Sequence, residues 1–150
     1  MSMKSTQPLK CPECGHEQDI EVWGSINVTL DPSARIDLFA GSINLFNCDS
    51  CGHKSTLPFS LLYNDAQRQI CVHYYPINSI KSDEFLEQFM ADGSVNAAKA
   101  EEFELPDYMR NMQVVFDLNE MIRYILFREE LWFIVIMRTN LKHEGHRFSV

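Results

Sequence analysis

"CPECGHEQDIEVWGSINVTLDPSARIDLFAGSINLFNCDSCGH", residues 11–53, decides how this chain is read. It opens and closes on the same six-residue pattern, Cys-x-x-Cys-Gly-His, with thirty-three residues between Cys14 and Cys48. Two cysteines in a tight turn can point both sulfurs at one ion, and a second such turn completes a tetrahedron. A glycine follows each pair, Gly15 and Gly52, where the chain must turn away with positive φ and leave backbone N–H groups aimed at the sulfurs. The expected site is therefore a single structural Zn2+ per chain, held by Cys11, Cys14, Cys48 and Cys51. Four thiolates close the coordination shell and leave no position for an activated water, so the metal argues for structure over catalysis. An iron–sulfur cluster also accepts four cysteines, and spacing alone does not exclude it. A redox dithiol is a poorer fit, because such a pair is normally a single motif at a helix N-terminus. His16 and His53 suggest a second metal, but two histidines would fill half a tetrahedron, and both read as surface residues beside the site.

The stretch between the pairs alternates apolar and polar residues. Ile20, Val22, Ile26, Val28 and Leu30 keep a period of two around Gly24, which predicts a hairpin or a kinked long strand. "DPSARIDLFAG" reads as a short helix or turn with Asp31 as its cap, Pro32 at its first position and Gly41 at its end. "SINLFNC" leads into the second pair as a strand. "HKSTLPFSLLYN" leads out as another, with Pro58 favouring an edge. Strands at both ends of the insert bring the two turns together, giving a zinc ribbon with an enlarged middle.

Beyond it, "QRQICVHYYPI" is a strand with Ile70, Val72 and Tyr74 on one face and Cys71, His73 and Tyr75 on the other. "SDEFLEQFMADG" predicts a helix capped by Ser82 with Phe85, Leu86, Phe89 and Met90 on one apolar face. The polar, acidic "SVNAAKAEEFELPD" reads as a linker. "MQVVF" reads as a short strand. "DLNEMIRYILFREE" has the clearest helical pattern, with Asp117 as cap and Glu120 three residues on, as in a capping box. "LWFIVIMR" is a continuous apolar run that periodicity assigns to neither helix nor strand. The expected class is α+β. A zinc-ribbon-like antiparallel β region (8–80) precedes a helix and acidic linker (81–107), a strand–helix region (108–142) and a tail (143–150), together forming one unit. Residues 1–7 and the mildly basic Arg138–Arg147 end are expected to be solvated and disordered. Leu131–Met137 is expected in the core, with an oligomer surface as the other reading.

Charge narrows the function. The 150 residues carry a net charge of −8. The cysteine region from Pro8 to Ser60 holds seven acids against three bases, and Asp83–Asp107 holds eight against one lysine. A nucleic-acid binder ordinarily shows a basic stripe for phosphate, and none is visible here. The first ten residues have no apolar core, so no signal peptide is expected. The longest apolar run, seven residues, is far short of the ~20 that span a bilayer. A cytoplasmic, non-membrane protein follows, and paired cysteines there read as metal ligands and not as a disulfide framework. Cys71 and His73 share a strand face, but residues two apart on a strand seldom hold nucleophile–base geometry. A core thiol beside a half-buried histidine is the better reading. No catalytic residue is assigned. Tyr63, Tyr74 and Tyr75 lack the basic neighbours of a base-stacking platform and read as packing or protein-contact residues.

The cysteine stretch resembles the N-terminal signature of bacterial and archaeal CpXC-domain proteins, named for two Cys-Pro-x-Cys motifs. "LPFSLLYND" and "HYYPIN" are similar to the part that follows in that family, and "VVFDLNEMIRYILF" to its later strand-and-helix segment. The resemblance implies metal binding through Cys11, Cys14, Cys48 and Cys51 and leaves the biochemical function open. The second motif, Cys48-Asp49-Ser50-Cys51, lacks the proline; proline preorganises the turn but is not a ligand. After Phe127, "REELWFIVIMR" departs from the family's pattern. The leading expectation is a non-catalytic zinc module acting through protein contacts or self-association. A nucleic-acid-binding ribbon in transcription, and an enzyme with a site away from the zinc, are the alternatives.

Overall fold

A computed structural model describes residues 2–91, 95, 96 and 105–145, with side chains described as far as residue 140. The class is α+β. Strands β1 (Met3–Lys10) and β2 (Glu17–Asn27) form a long antiparallel hairpin whose turn carries Cys11 and Cys14. Helix α1 (Pro32–Phe39) follows, then a short hairpin of β3 (Leu45–Asn47) and β4 (Lys54–Thr56) whose turn carries Cys48 and Cys51. Strands β5 (Leu61–Asp65) and β6 (Ile70–Tyr74) pair antiparallel. After a 3₁₀ turn (Ile77–Lys81) come one-turn helices α2 (Asp83–Leu86) and α3 (Asp107–Arg110), strand β7 (Gln113–Val115), and the 28-residue helix α4 (Leu118–Gly145). The main sheet is mixed, in the order β1-β2-β5-β6-β7, with the β2–β5 and β6–β7 pairs parallel.

Strand β2 serves two partners. β1 lies along Glu17–Ser25, while β5 pairs only with Ser25–Asn27. The kink expected at Gly24 is a bulge: Met3 pairs with Ser25 and Lys4 with Trp23, so Gly24 is skipped. The cysteine end of the hairpin therefore projects beyond the rest of the sheet. The main core takes Ile26 from β2, Leu61 and Tyr63 from β5, Ile70 and Val72 from β6 and Val115 from β7. It is closed by Ala34 and Leu38 of α1 and by Met121 and Ile125 of α4. A bidentate pair from Arg35 to Glu129 (2.9 and 2.5 Å) ties α1 to α4.

Several expectations change. Of the residues 1–7 expected to be disordered, Met3–Gln7 are ordered, because Met3–Lys10 form the edge strand that the outer side of β2 requires. Lys4 pairs with Glu21 at 2.8 Å and lies 4.0 Å over the Trp23 ring. Pro58 separates β4 from β5 and so divides the expected single strand. The helix expected from residue 82 is one turn long. Ser82 caps it, its hydroxyl accepting from the Phe85 N–H, but only Phe85 is buried, while Leu86 and Met90 face solvent. Most of the acidic linker, 92–94 and 97–104, lies outside the described residues.

The apolar run Leu131–Met137 is neither a strand nor core. It continues α4, which has no glycine or proline to stop it before Gly145. Asp117 caps that helix through Oδ1, which accepts from the N–H groups of Asn119 and Glu120. The helix outruns the sheet, so Leu131, Phe133, Ile134, Val135, Ile136 and Met137 are exposed. The basic end expected to be solvated coil is helical through Gly145, and 146–150 lie outside the described residues. No described helix is long and apolar enough to cross a membrane.

Candidate metal centre

The two cysteine turns have one backbone design. The Cys11 N–H donates to the His16 carbonyl at 2.8 Å, and the Gly15 N–H to the Cys11 carbonyl at 3.0 Å. In the second turn, Cys48 N–H to His53 and Gly52 N–H to Cys48 both measure 2.8 Å. Gly15 and Gly52 share a φ of 73°, which a side chain would resist. The proline missing from the second turn leaves no mark on this geometry. His16 and His53 contribute backbone carbonyls, and neither imidazole joins a metal-ligating group among the described residues.

The turns face each other. Cys11 Sγ lies 3.7 Å from Cys51 Sγ, Cys14 Sγ lies 3.6 Å from Cys48 Sγ, and all four sulfurs fall within 4.8 Å of one another. Sulfurs about 2.3 Å from a single ion are about 3.8 Å apart along each edge of a tetrahedron, so the quartet fits one tetrahedral ion. Each close pair joins a buried sulfur to an exposed one, and each joins the two turns. Cys11 and Cys48 are buried against Phe46, with Leu9, Ile20 and Leu57 around them, while Cys14 and Cys51 face solvent.

Burial opposes ionisation of Cys48, but the N–H groups of Cys51 and Ser50, with the Cys14 and Cys51 thiols, outweigh it and bring the group down to about 6. The His53 N–H favours a thiolate at Cys51, yet burial and the Cys14, Cys48 and Cys11 thiols push it up to about 12. One thiolate forms readily, and its charge holds back the next. A cation bound among the four sulfurs would remove that opposition.

Two carboxamides unmarked by any motif hold the hairpins in register. Gln18 of β2 donates from Nε2 to the Asn47 carbonyl and accepts at Oε1 from the Asp49 N–H, both at 2.9 Å. Asn44, just before β3, accepts at Oδ1 from the Trp23 N–H (2.7 Å) and donates from Nδ2 to the Trp23 carbonyl (2.9 Å). Each side chain pairs with backbone as another strand would, where β2 has no strand on that side. Asn44 is buried and has φ of 52°, a left-handed conformation that asparagine tolerates. Its one sequence-level hint is an Asn between two apolar runs.

Cys71 and His73 sit far from this chemistry in character. Burial pushes the Cys71 thiol up to about 11 and the His73 imidazole down to about 4, so both are neutral at pH 7. His73 packs on Tyr75, ring centres 3.9 Å apart, and Tyr75 on Phe85. Cys71 lines an open cavity of about 280 Å³ with Tyr108, Tyr124 and Arg128.

A mixed sheet extended by two cysteine turns that meet at one point defines an α+β protein with a four-cysteine site that could hold a metal ion. The model of one family, described as CpXC protein, matches residues 9–132, and the chain belongs to that family. The match takes in both turns, the whole of β2–β7 and the packed first half of α4. Neither the curated proteins nor the solved structures contain a match to the chain.

Proposed function

We propose that the chain is a zinc protein in which Cys11, Cys14, Cys48 and Cys51 hold one structural Zn2+, and that it acts as a protein-interaction module and not as an enzyme. The sulfur quartet carries this reading. Its 3.6 and 3.7 Å separations suit a single ion, whereas a multi-iron cluster needs its thiolates on different irons and farther apart. Four protein ligands leave the ion without an open position, so it supplies shape and not an activated water. The shape it supplies is the junction of two hairpins whose local core has only three buried residues, two of them the cysteines. The exposed apolar half of α4 supplies a contact surface.

Metal analysis of the purified chain is expected to find one zinc per chain. Chelation should then lower the melting temperature and change the circular dichroism, since structural zinc in isolated finger peptides contributes an apparent ~10–16 kcal/mol. A chelated protein that keeps its native spectrum and melting temperature would refute the structural role.

A further inference from the structure

The first half of α4 turns Leu118, Met121 and Ile125 toward the sheet. The same stripe continues through Glu129, paired with Arg35, and Trp132, whose ring lies 5.3 Å from the Arg68 guanidinium. Each helical residue turns by about 100°, so Ile134, nine residues after Ile125, points about half a turn away from the sheet. Phe127 and Leu131 fall on that same outward side, and Phe127, Leu131, Ile134 and Arg138 are spaced by four, three and four residues. The four-and-three step from Phe127 through Leu131 to Ile134 has the 3.5-residue average of a helix that pairs with another helix. Eight large apolar side chains from Leu126 to Met137 are 40–61% exposed. Of these, Phe127, Leu131, Ile134 and Met137 lie on the outward side, and at roughly 100 Å² apiece they offer on the order of 400 Å² per chain, an apolar centre for an interface whose rim the neighbouring polar residues complete.

We propose that this stretch of α4 packs antiparallel against α4 of a second copy of the chain, with the two-fold axis at Ile134. The sequence is self-complementary about that point. Ile134 meets the partner's Ile134, Leu131 meets the partner's Met137, and Glu130 meets the partner's Arg138, each pair occurring twice as an isologous interface requires. Glu130 and Arg138 are both exposed and so are free to meet a partner. A parallel pair would set glutamate on glutamate and arginine on arginine, which charge repulsion disfavours. Opposed helix dipoles favour the antiparallel arrangement as well. The proposal rests on the interaction-module reading above and names its partner.

The test is sedimentation equilibrium of the full, zinc-loaded chain, with metal content and circular dichroism measured on the same samples. The wild type should be a dimer. Ile134→Asp should weaken it roughly 30-fold or more, as expected for a residue at the centre of an interface, with zinc and helix content retained. Glu130→Arg should weaken it roughly tenfold, and adding Arg138→Glu should restore it, because the exchange recreates both cross pairs only in the antiparallel register. A monomeric wild type overturns the pairing, as does a double variant that stays as weak as Glu130→Arg. A monomer that binds phosphatidylcholine vesicles through this stretch overturns it too. A monomer that still holds one zinc defeats the pairing alone, whereas a dimer that keeps its native circular dichroism and melting temperature after zinc removal defeats the structural-metal reading alone.

Discussion

The molecule has two cores of very different kinds. The sheet end buries eleven residues, ten from six elements and Ile43 from the loop before β3, among them Tyr63, Ile26 and Met121, with no exposure to solvent at those three. The cysteine end buries Cys11, Phe46 and Cys48. Apolar burial stabilises at about 25 cal/mol per Å², so the first core can hold itself and the second cannot. The small end is instead secured by polar geometry: two superimposable turns, four sulfurs and two carboxamides. One end is stabilised by area and the other by position.

The strongest way to break that contrast is Cys48→Ser, which removes a buried sulfur common to the small core and the quartet. Metal binding should be lost, and amide exchange at Phe46 and Ser55 should accelerate towards the unprotected rate. Tyr63 and Val72 in β5 and β6 should stay protected. If all four amides lose protection together, the two ends are one cooperative unit and the contrast fails.

Acid should act on the large end through His73. Burial lowers its pKa from 6.5 to about 4. Between those values the unfolded chain binds a proton that the folded chain does not, so stability is fully present above pH 6.5 and lost as the pH falls toward 4. The loss is on the order of 3 kcal/mol. The measurable quantity is the difference between wild type and His73→Gln in urea titrations of the zinc-loaded proteins, in which contributions from the metal cancel. A difference independent of pH would show that the imidazole titrates normally.

A smaller effect sharpens the positional half. Asn44→Ala removes two hydrogen bonds to Trp23 and leaves a non-glycine residue at positive φ. It should cost about 2 kcal/mol. Zinc affinity should fall with it, because Asn44 fixes the second hairpin against β2. Unchanged affinity would mean that the cysteine turns alone set the sulfur positions.

These differences also explain what could be read in the sequence. The cysteine turns are local: ligand spacing, the glycine and the return of the chain all lie within six residues, so Cys11–His16 and Cys48–His53 declare themselves. The strand pattern of β2, β6 and β7 and the cap at Asp117 are equally local. The edge strand β1 is not, for it is polar and becomes a strand because β2 needs a partner. Gln18 and Asn44 pair with backbone 21 to 31 residues away and carry no pattern that marks it. The run Leu131–Met137 reads as core because apolarity usually means burial. Only the length of α4 relative to the sheet shows that it has left the body of the protein.

The alternation of buried and exposed sulfurs has a kinetic consequence. With an ion bound, a competing chelator or soft metal arriving from solvent would meet Cys14 and Cys51 first, one from each turn. An ion held here would be reached from solvent at Cys14 and Cys51 and retained from within by Cys11 and Cys48, so the two buried cysteines would govern how slowly it left.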